Sequence, residues 1–262
     1  MRVAVTGSTS VIGQRLIAKL SEAGHTPVPF GGSQSNVWRI GQKCPTDLKF
    51  DSLVHLAHDR SLSVKENIEA AKVLCGSFVG RKIFLSSFSA HSNSVSKYGQ
   101  SKYAMESIFN NSNGSSLRAG VVYGERVEGI FAQIELLTSK LPLIPLPYRG
   151  SSLLFTTHID DLITEIVSEL DSGENLTTFA AHPRPISFNN LSFQIQKKLG
   201  INKKTINVWR QPLDILMKCL VRLVPNFPMA DSLLSLSHQA SYEEISKLKI
   251  SRLNFREFKV SE

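Results

Sequence analysis

Short, unbroken apolar runs alternate with stretches of helical spacing along the first half of the chain. Arg2 to Val5 reads as a buried strand. Gly13 to Ala23 follows with Leu16, Ile17 and Leu20 on one helical face and Gly24 as a stop. Thr26 to Phe30 is a second strand, closed by Gly31-Gly32, and Leu53 to Ala57 a third. A helix is expected from Val64 to Phe78, a strand from Lys82 to Ser86, a helix from Lys97 to Asn110 and a strand from Ser116 to Tyr123. Strands that are apolar on both sides, each followed by a helix, mean a parallel sheet covered by helices on both faces. After Gly124 the rhythm loosens. LPLIPLPYRG (141–150) carries three prolines and must run extended or in turns. Asp160 to Leu170 returns to helix, Leu176 to Ala181 to strand, and from about 184 onward helices and loops remain. The expected architecture is α/β, a doubly wound parallel sheet with a small, mostly helical C-terminal lobe. The division falls at 1–183 and 184–262.

Composition narrows this picture. The 262 residues suit one large domain or one plus a lobe, and 42% hydrophobic with 20% charged is globular. The net charge of +8 is compatible with nucleic acid, an anionic membrane or a phosphorylated small ligand. Lys and Arg form no block of five or six, so charge spread over the surface accounts for it equally well, and nucleic acid is not expected. Cys44, Cys75 and Cys219 are far apart and in no CxxC pair, so neither a zinc site nor a disulfide framework is expected. Reduced thiols point to the cytoplasm. The first apolar run, Val3 to Val5, is too short for a signal peptide. Leu213 to Val224 is broken by Asp214, Lys218 and Arg222, four apart on one face. It reads as an amphipathic helix for core packing or a dimer contact, not a membrane span.

The first strand ends in TGSTSVIG, Thr6 to Gly13, a glycine turn between strand and helix. This is the context in which helix N–H groups cradle a pyrophosphate. Gly7 permits the tight turn and Gly13 lets the helix approach the strand. Ser10 replaces the middle glycine; its side chain points away from the phosphate, or its hydroxyl donates to it. No Asp or Glu lies between Glu22 and Asp47, where a carboxylate usually takes the ribose 2′-hydroxyl of NAD. Ser33, Ser35 and Arg39 stand there instead, and Arg15 or Arg39 offers a partner for a 2′-phosphate. The cofactor is NAD or NADP, with the balance tilted to NADP.

Tyr98 and Lys102, in YGQSK, stand i, i+4 on the helix that starts at Lys97, so their side chains share a face. An ammonium beside a phenol favours the phenolate and suits Tyr98 to acid–base work. SSFSAH (Ser86 to His91) closes the preceding strand and supplies a hydroxyl to hold a substrate oxygen, from Ser86, Ser87 or Ser89. Strand, serine cluster, short loop and YxxxK helix in that order are more specific than any one of them.

In these segments the chain resembles the extended short-chain dehydrogenase/reductase family, in its NAD-dependent epimerase/dehydratase branch. LVHLAH (Leu53 to His58), Asn67 in KENIEAAKVL, LRAGVVYG (Leu117 to Gly124, resembling RPGxVYG with Ala119 for proline) and FTTHIDDL (Phe155 to Leu162, resembling FVHVDDL) follow in the family's order. The resemblance covers residue 1 to about 200. It implies a Rossmann fold for 1–183, with 125–155 contributing to the substrate side, and a substrate lobe for 184–262. It implies cofactor contacts from Gly7, Ser8, Thr9, Ser10, Val11, Ile12, Gly13, Ser33, Arg39, Leu56, Ala57, His58, Asn67 and Lys102. Tyr98 would be the acid–base residue, Lys102 would hold the nicotinamide ribose and tune Tyr98, and Ser87 would orient the substrate hydroxyl. The implied substrate is a nucleotide sugar, undergoing 4-epimerisation or 4-keto reduction. Phe88-Ser89 stands where a dehydratase carries Asp-Glu, which disfavours dehydration. A non-sugar carbonyl reductase and a catalytically silent cofactor-binding module are the alternatives.

Arg149 and Tyr123 are the expected substrate contacts, with Arg118 and Arg210 further candidates for the diphosphate. His55, His58 and His91 lie in separate segments and no metal is expected. Asp160 and Asp161 open a helix and favour its N-terminus. Trp38 and Trp209 are read as packing residues. A homodimer suits the fold.

Overall fold

The computed structural model describes residues 1–31, 38–44, 49–124, 130–147, 150–209, 228–240 and 242–259. Ser33, Ser35, Arg149, Arg210, Cys219 and the helix expected over 213–224 lie outside the described residues. The first half runs β1 (Arg2–Thr6), α1 (Val11–Glu22), β2 (Thr26–Phe30), β3 (Ser52–His55), α2 (Val64–Gly76), β4 (Arg81–Ser87), α3 (Lys97–Asn110) and β5 (Gly114–Ala119). The second half runs β6 (Val121–Tyr123), α4 (Ile130–Lys140), β7 (Ile144–Pro147), β8 (Leu153–Leu154), β9 (Thr156–His158), α5 (Ile159–Glu169), β10 (Thr177–Ala180) and β11 (Ile186–Ser187). It closes with α6 (Phe188–Lys198), β12 (Thr205–Val208), α7 (Pro228–Ser237), α8 (Tyr242–Ile245) and β13 (Lys249–Ile250).

Among the described residues, seven strands form one parallel sheet in the order β13-β10-β5-β4-β3-β1-β2. The chain leaves β1 for β2 on one side and returns to β3 on the other. That reversal opens a crevice at the carboxyl ends of β1 and β3, where ligands bind in open α/β sheets. Alternation along β1 explains the unbroken apolar run. Val3 and Val5 pack with Leu16 and Leu20 of α1 and Ile159, Leu162, Ile163 and Ile166 of α5. Ala4 faces the other side, with Leu53, Leu74 of α2, and Met105 and Phe109 of α3. β2 is one of the two edge strands among the described residues. Its Thr26 N–H bonds the Met1 carbonyl, so alternation turns the nitrogens of Pro27 and Pro29 away from β1, where a proline loses no ladder bond.

The strand expected over Ser116 to Tyr123 is two strands. After Ala119 the chain leaves the main sheet and β6 pairs in parallel with β9. Gly120 makes the break: a Cβ there would stand 2.3 Å from the Phe155 carbonyl oxygen, and its N–H donates to Thr157 Oγ1 at 2.9 Å. The proline-rich stretch runs extended as β7, paired in parallel with β12. A smaller apolar cluster joins Phe131 and Ile134 of α4, Ile144 and Leu146 of β7, Leu191 and Ile195 of α6, and Phe258. Part of the chain beyond 184 also packs on the first half: β13 pairs with β10 in the main sheet, and Phe255 enters the cluster under α1 and α5. No helix among the described residues is long and apolar enough to cross a membrane.

Candidate active site

The turn after β1 is built by its glycines. Gly7 has φ +72°, and a Cβ on it would lie 3.0 Å from the Ala57 nitrogen at the end of β3. A Cβ on Gly13 would stand 2.3 Å from the Gly7 oxygen, so α1 sits on the turn as only glycine allows. Ser10 is turned into the loop itself: its hydroxyl donates to the Gly7 carbonyl (2.8 Å) and accepts from the Gly13 N–H (3.1 Å) as the N-cap of α1. Of the two orientations open for Ser10, the structure shows the one that faces away from a ligand. Val11 and Ile12, in the first turn of α1, have N–H groups without an acceptor inside the helix, and Thr9 is exposed beside them. Ser8 is fully buried and donates to the Phe30 carbonyl at 2.9 Å.

Across the crevice, His55 at the end of β3 is buried against the Phe84 and Phe109 rings, with Nδ1 2.8 Å from Thr6 Oγ1. Burial pulls its pKa down to about 3. Leu56 and Ala57 continue beside the Gly7 turn, Leu56 through its N–H on the Thr6 carbonyl (3.2 Å). His58 stands edge-on to the Tyr98 ring, centroids 4.8 Å apart, and its buried Nδ1 has no hydrogen-bond partner among the described residues. Asn67, at the start of α2, donates to the carbonyls of Asp59 (3.0 Å), Leu62 (3.4 Å) and Ser63 (3.2 Å). It pins the loop between β3 and α2.

The serine cluster and the Tyr98 helix meet at the end of β4. Ser86 is buried and donates to Glu106 at 2.6 Å, which removes it from the site. Ser87 is half-buried, lies beside the Tyr98 phenol and stands 3.1 Å from the Ser89 hydroxyl. Phe88 points into an aromatic cluster with Phe155 and Phe179. Lys102 is 2% exposed; its ammonium donates to the Leu85 carbonyl at 2.6 Å and lies 4.5 Å from the Phe84 ring centroid. From the Tyr98 ring centroid it is 5.7 Å. Burial pulls Lys102 down to about 7, Arg60 adds to the fall and Glu106 opposes it. Burial likewise holds the Tyr98 phenol above the usual tyrosine range, while Arg60 and the Ser87 hydroxyl pull against that rise. The Lys102 ammonium is directed at the Leu85 carbonyl, and Arg60 and Ser87 are the neighbours that pull the phenol down.

Sequence spacing did not mark several groups at the site. Arg60 lies over the Tyr98 ring, 4.9 Å from guanidinium carbon to centroid. Asp231 of α7 accepts the N–H groups of Lys97 (2.8 Å) and Tyr98 (3.2 Å), capping α3 from a segment 133 positions away. Glu106, one turn beyond Lys102, pairs with Arg118 through two bonds of 2.7 Å. Its i+4 spacing from Lys102 was a signal in the sequence; Arg60 and Asp231 had none.

Other expected residues are committed elsewhere. Arg15 pairs with Asp160 at 2.7 Å. Arg39 is exposed, and its backbone N–H bonds the Gln42 side chain. The Tyr123 hydroxyl stands 3.2 and 3.1 Å from the carbonyls of Arg256 and Glu257, fastening the C-terminal segment. Its ring lines a cavity of about 570 Å³ with Phe131, His158, Lys198 and Phe258. Arg118 is buried against Glu106 and not available to a diphosphate. Asp161, beyond opening α5, holds Arg256 at 2.6 Å. Trp38 is buried edge-on to His55, and Trp209 is exposed.

No protein-family model and no curated protein sequence matches the chain. Solved structures do. UDP-glucose 4-epimerase from Thermotoga maritima, with UDP-glucose, aligns at TM-score 0.65 and 18% identity over 80% of this chain and 86% of that one. The Thermus thermophilus UDP-glucose 4-epimerase complex with NAD aligns at 0.65 and 16% identity over 94% and 99% of the two chains. A dTDP-4-dehydrorhamnose reductase from Clostridium acetobutylicum aligns at 0.66 and 15% identity over 80% and 84%. The chain thus has the Rossmann fold of these enzymes, a parallel sheet with glycine turn and tyrosine helix at its carboxyl edge.

Proposed function

We propose that the chain is an extended short-chain dehydrogenase/reductase that holds NAD or NADP and epimerises or reduces the 4-position of a nucleotide-linked sugar. The observation that carries this reading is convergence. The Gly7 turn abuts Ala57, and His58 next to it stands against Tyr98, so the glycine turn, the end of β3 and the Ser87/Tyr98/Lys102 group lie side by side at the carboxyl edge of the sheet. The residues present fit a dinucleotide. The turn is tight enough for a close backbone approach, and the N–H groups of Val11 and Ile12 are free of intrahelical acceptors. Val11, Ile12 and Thr9 would hold the diphosphate, with Leu56, Ala57 and His58 along the other wall. Gly7, Ser8, Ser10 and Gly13 would act through the shape of the turn, and Asn67 through the loop it pins. Ser33 and Arg39 would border the adenosine ribose, and Lys102, turned from the Leu85 carbonyl, would take the nicotinamide ribose hydroxyls. Arg149 would face the substrate, and Tyr123 would do so through its ring alone, since its hydroxyl is held by the carbonyls of Arg256 and Glu257.

When bound, the cofactor supplies a nicotinamide carbon that gives or accepts hydride at the sugar carbinol carbon. This chain's residues would handle the proton. Ser87 would donate to the sugar oxygen, and Tyr98 would take the hydroxyl proton as the carbonyl forms or return it as the carbonyl is reduced. Burial of Tyr98 and Lys102 makes each charge there sensitive to its neighbours. Phe88, packed in the aromatic cluster, leaves no acid at the position a dehydratase uses, which supports epimerisation or 4-keto reduction. A homodimer and a cytoplasmic location accompany this reading.

A melting-temperature screen of nucleotide sugars, each with NAD or NADP present, tests it. A ligand at about 100 times its Kd stabilises the fold by about 2.7 kcal/mol through mass action. The expected result is a rise with a nucleotide sugar only when cofactor is present. No rise with either cofactor alone would sink the reading.

A further inference from the structure

Arg60 belongs to the loop that Asn67 pins between β3 and α2. Its guanidinium lies over the Tyr98 ring at 4.9 Å and hydrogen-bonds the Ser232 hydroxyl of α7. The next residue of α7, Asp231 on its N-terminal side, caps the helix that carries Tyr98. Two remote segments, the loop after β3 and α7, therefore meet at Tyr98, and the first of them places a permanent cation on its ring face.

We propose that Arg60 is a positioning residue for the acid–base step, its fixed charge held over the Tyr98 ring by Ser232 so that the phenolate is stabilised. This rests on the reading of Tyr98 as the acid–base group. The groups facing that phenol are few. Lys102 comes from its own helix, Arg60 and His58 from the loop after β3, Ser87 from β4 and Asp231 from α7. His58 is held neutral, since burial and the nearby cations pull it down to about 2. Lys102 titrates near neutrality and its ammonium is directed at the Leu85 carbonyl. Asp231 raises the phenol and is engaged by two backbone N–H groups. A guanidinium keeps its charge at every working pH. Arg60 is thus the group among these whose positive charge persists while Lys102 loses its own. Of the influences that pull Tyr98 down, it is the largest.

The test reads Tyr98 directly in the cofactor-free chain. The pH at which Tyr98 ionises is followed by NMR of ring-labelled tyrosine, with Tyr98→Phe identifying its resonance among the five tyrosines. Arg60→Gln is expected to raise that pH by about one unit, the scale of one charge across a few ångström. Arg60→Lys, which keeps the charge, is expected to stay close to the parent. The limb of the pH–rate profile that reports Tyr98 should move with Arg60→Gln in the same direction. An unmoved Tyr98 ionisation in Arg60→Gln would overturn the proposal, and so would a shift as large in Arg60→Lys. The NMR reading does not depend on turnover. If Tyr98→Phe retains full activity, the catalytic reading fails while the coupling of Arg60 to Tyr98 is judged separately.

Discussion

Glu106 offers the sharpest test of how the site is supported. It lies one helical turn past Lys102 and is 4% exposed, opposite an Arg118 that is 5% exposed. Its carboxylate accepts both Nε and Nη2 of Arg118 at 2.7 Å, and one oxygen also takes the Ser86 hydroxyl at 2.6 Å. This cluster ties α3 to β4 and β5 behind the Tyr98–Lys102 face. Glu106→Gln keeps the size but offers one acceptor oxygen where there were two, and it leaves the guanidinium buried without a countercharge. Breaking a buried pair from one side costs about 3–5 kcal/mol. Counting two charge-assisted bonds at about 1.5–3 kcal/mol each leads to the same range. Against a total stability of about 5–15 kcal/mol, that is a fifth or more of the fold. Urea unfolding should show the midpoint falling steeply with the slope unchanged. The double variant Glu106→Leu with Arg118→Met, which removes both charges, should be more stable than Glu106→Gln alone. A loss below about 1 kcal/mol in Glu106→Gln would contradict the assignment of this pair as a buried support.

Three further outcomes follow from the same geometry. Gly13→Ala should lower the melting temperature and weaken cofactor binding, because its Cβ meets the Gly7 oxygen at 2.3 Å. The overpacking cost of about 1–3 kcal/mol exceeds alanine's helix gain of about 1 kcal/mol; an unchanged melting curve contradicts this. Lys102→Met should abolish turnover without lowering the melting temperature of the cofactor-free chain, since it removes an ammonium that burial has already pulled to about 7. A large drop in melting temperature would show that the lysine serves the fold. His55, held neutral by burial with a pKa near 3, is protonated in the unfolded chain below its usual 6.5. Its contribution is therefore present above pH 6.5 and falls away as acid is added down to about pH 3, by about 1.4 kcal/mol per unit. Urea midpoints measured through that window should flatten in His55→Phe; an equal slope in both chains refutes the attribution.

The sheet was legible because its strands are buried on both faces, so Val3 to Val5 or Ile83 to Leu85 read as unbroken apolar runs. The break at Gly120 was not, because nothing in LRAGVVY marks a strand that changes sheets; the cause is the distant Phe155 carbonyl. α4 was missed although Phe131, Ile134 and Leu137 have helical spacing, since the prolines that follow dominate the local pattern. The two-residue β13 and the pairing of β7 with β12 depend on contacts remote in sequence. The glycine turn and the YxxxK helix carry their geometry in their own spacing, and the structure sets both at the carboxyl edge of the sheet. Ser10 could be read in two orientations, and only the cap on Gly13 decided between them. Arg60, Asp231 and Ser232 come together from segments more than a hundred residues apart, so no local pattern announced them.

The central claim is that Tyr98 moves the proton while hydride passes between a nicotinamide cofactor and a sugar carbon. It is tested most directly by label transfer: the chain is loaded with cofactor deuterated at the transferable position and mixed with nucleotide sugars and their 4-keto forms. The account predicts deuterium at the sugar 4-carbon with the parent chain, and none with Tyr98→Phe at equal cofactor affinity. Label transferred equally by Tyr98→Phe, or to no nucleotide sugar by the parent, would contradict it.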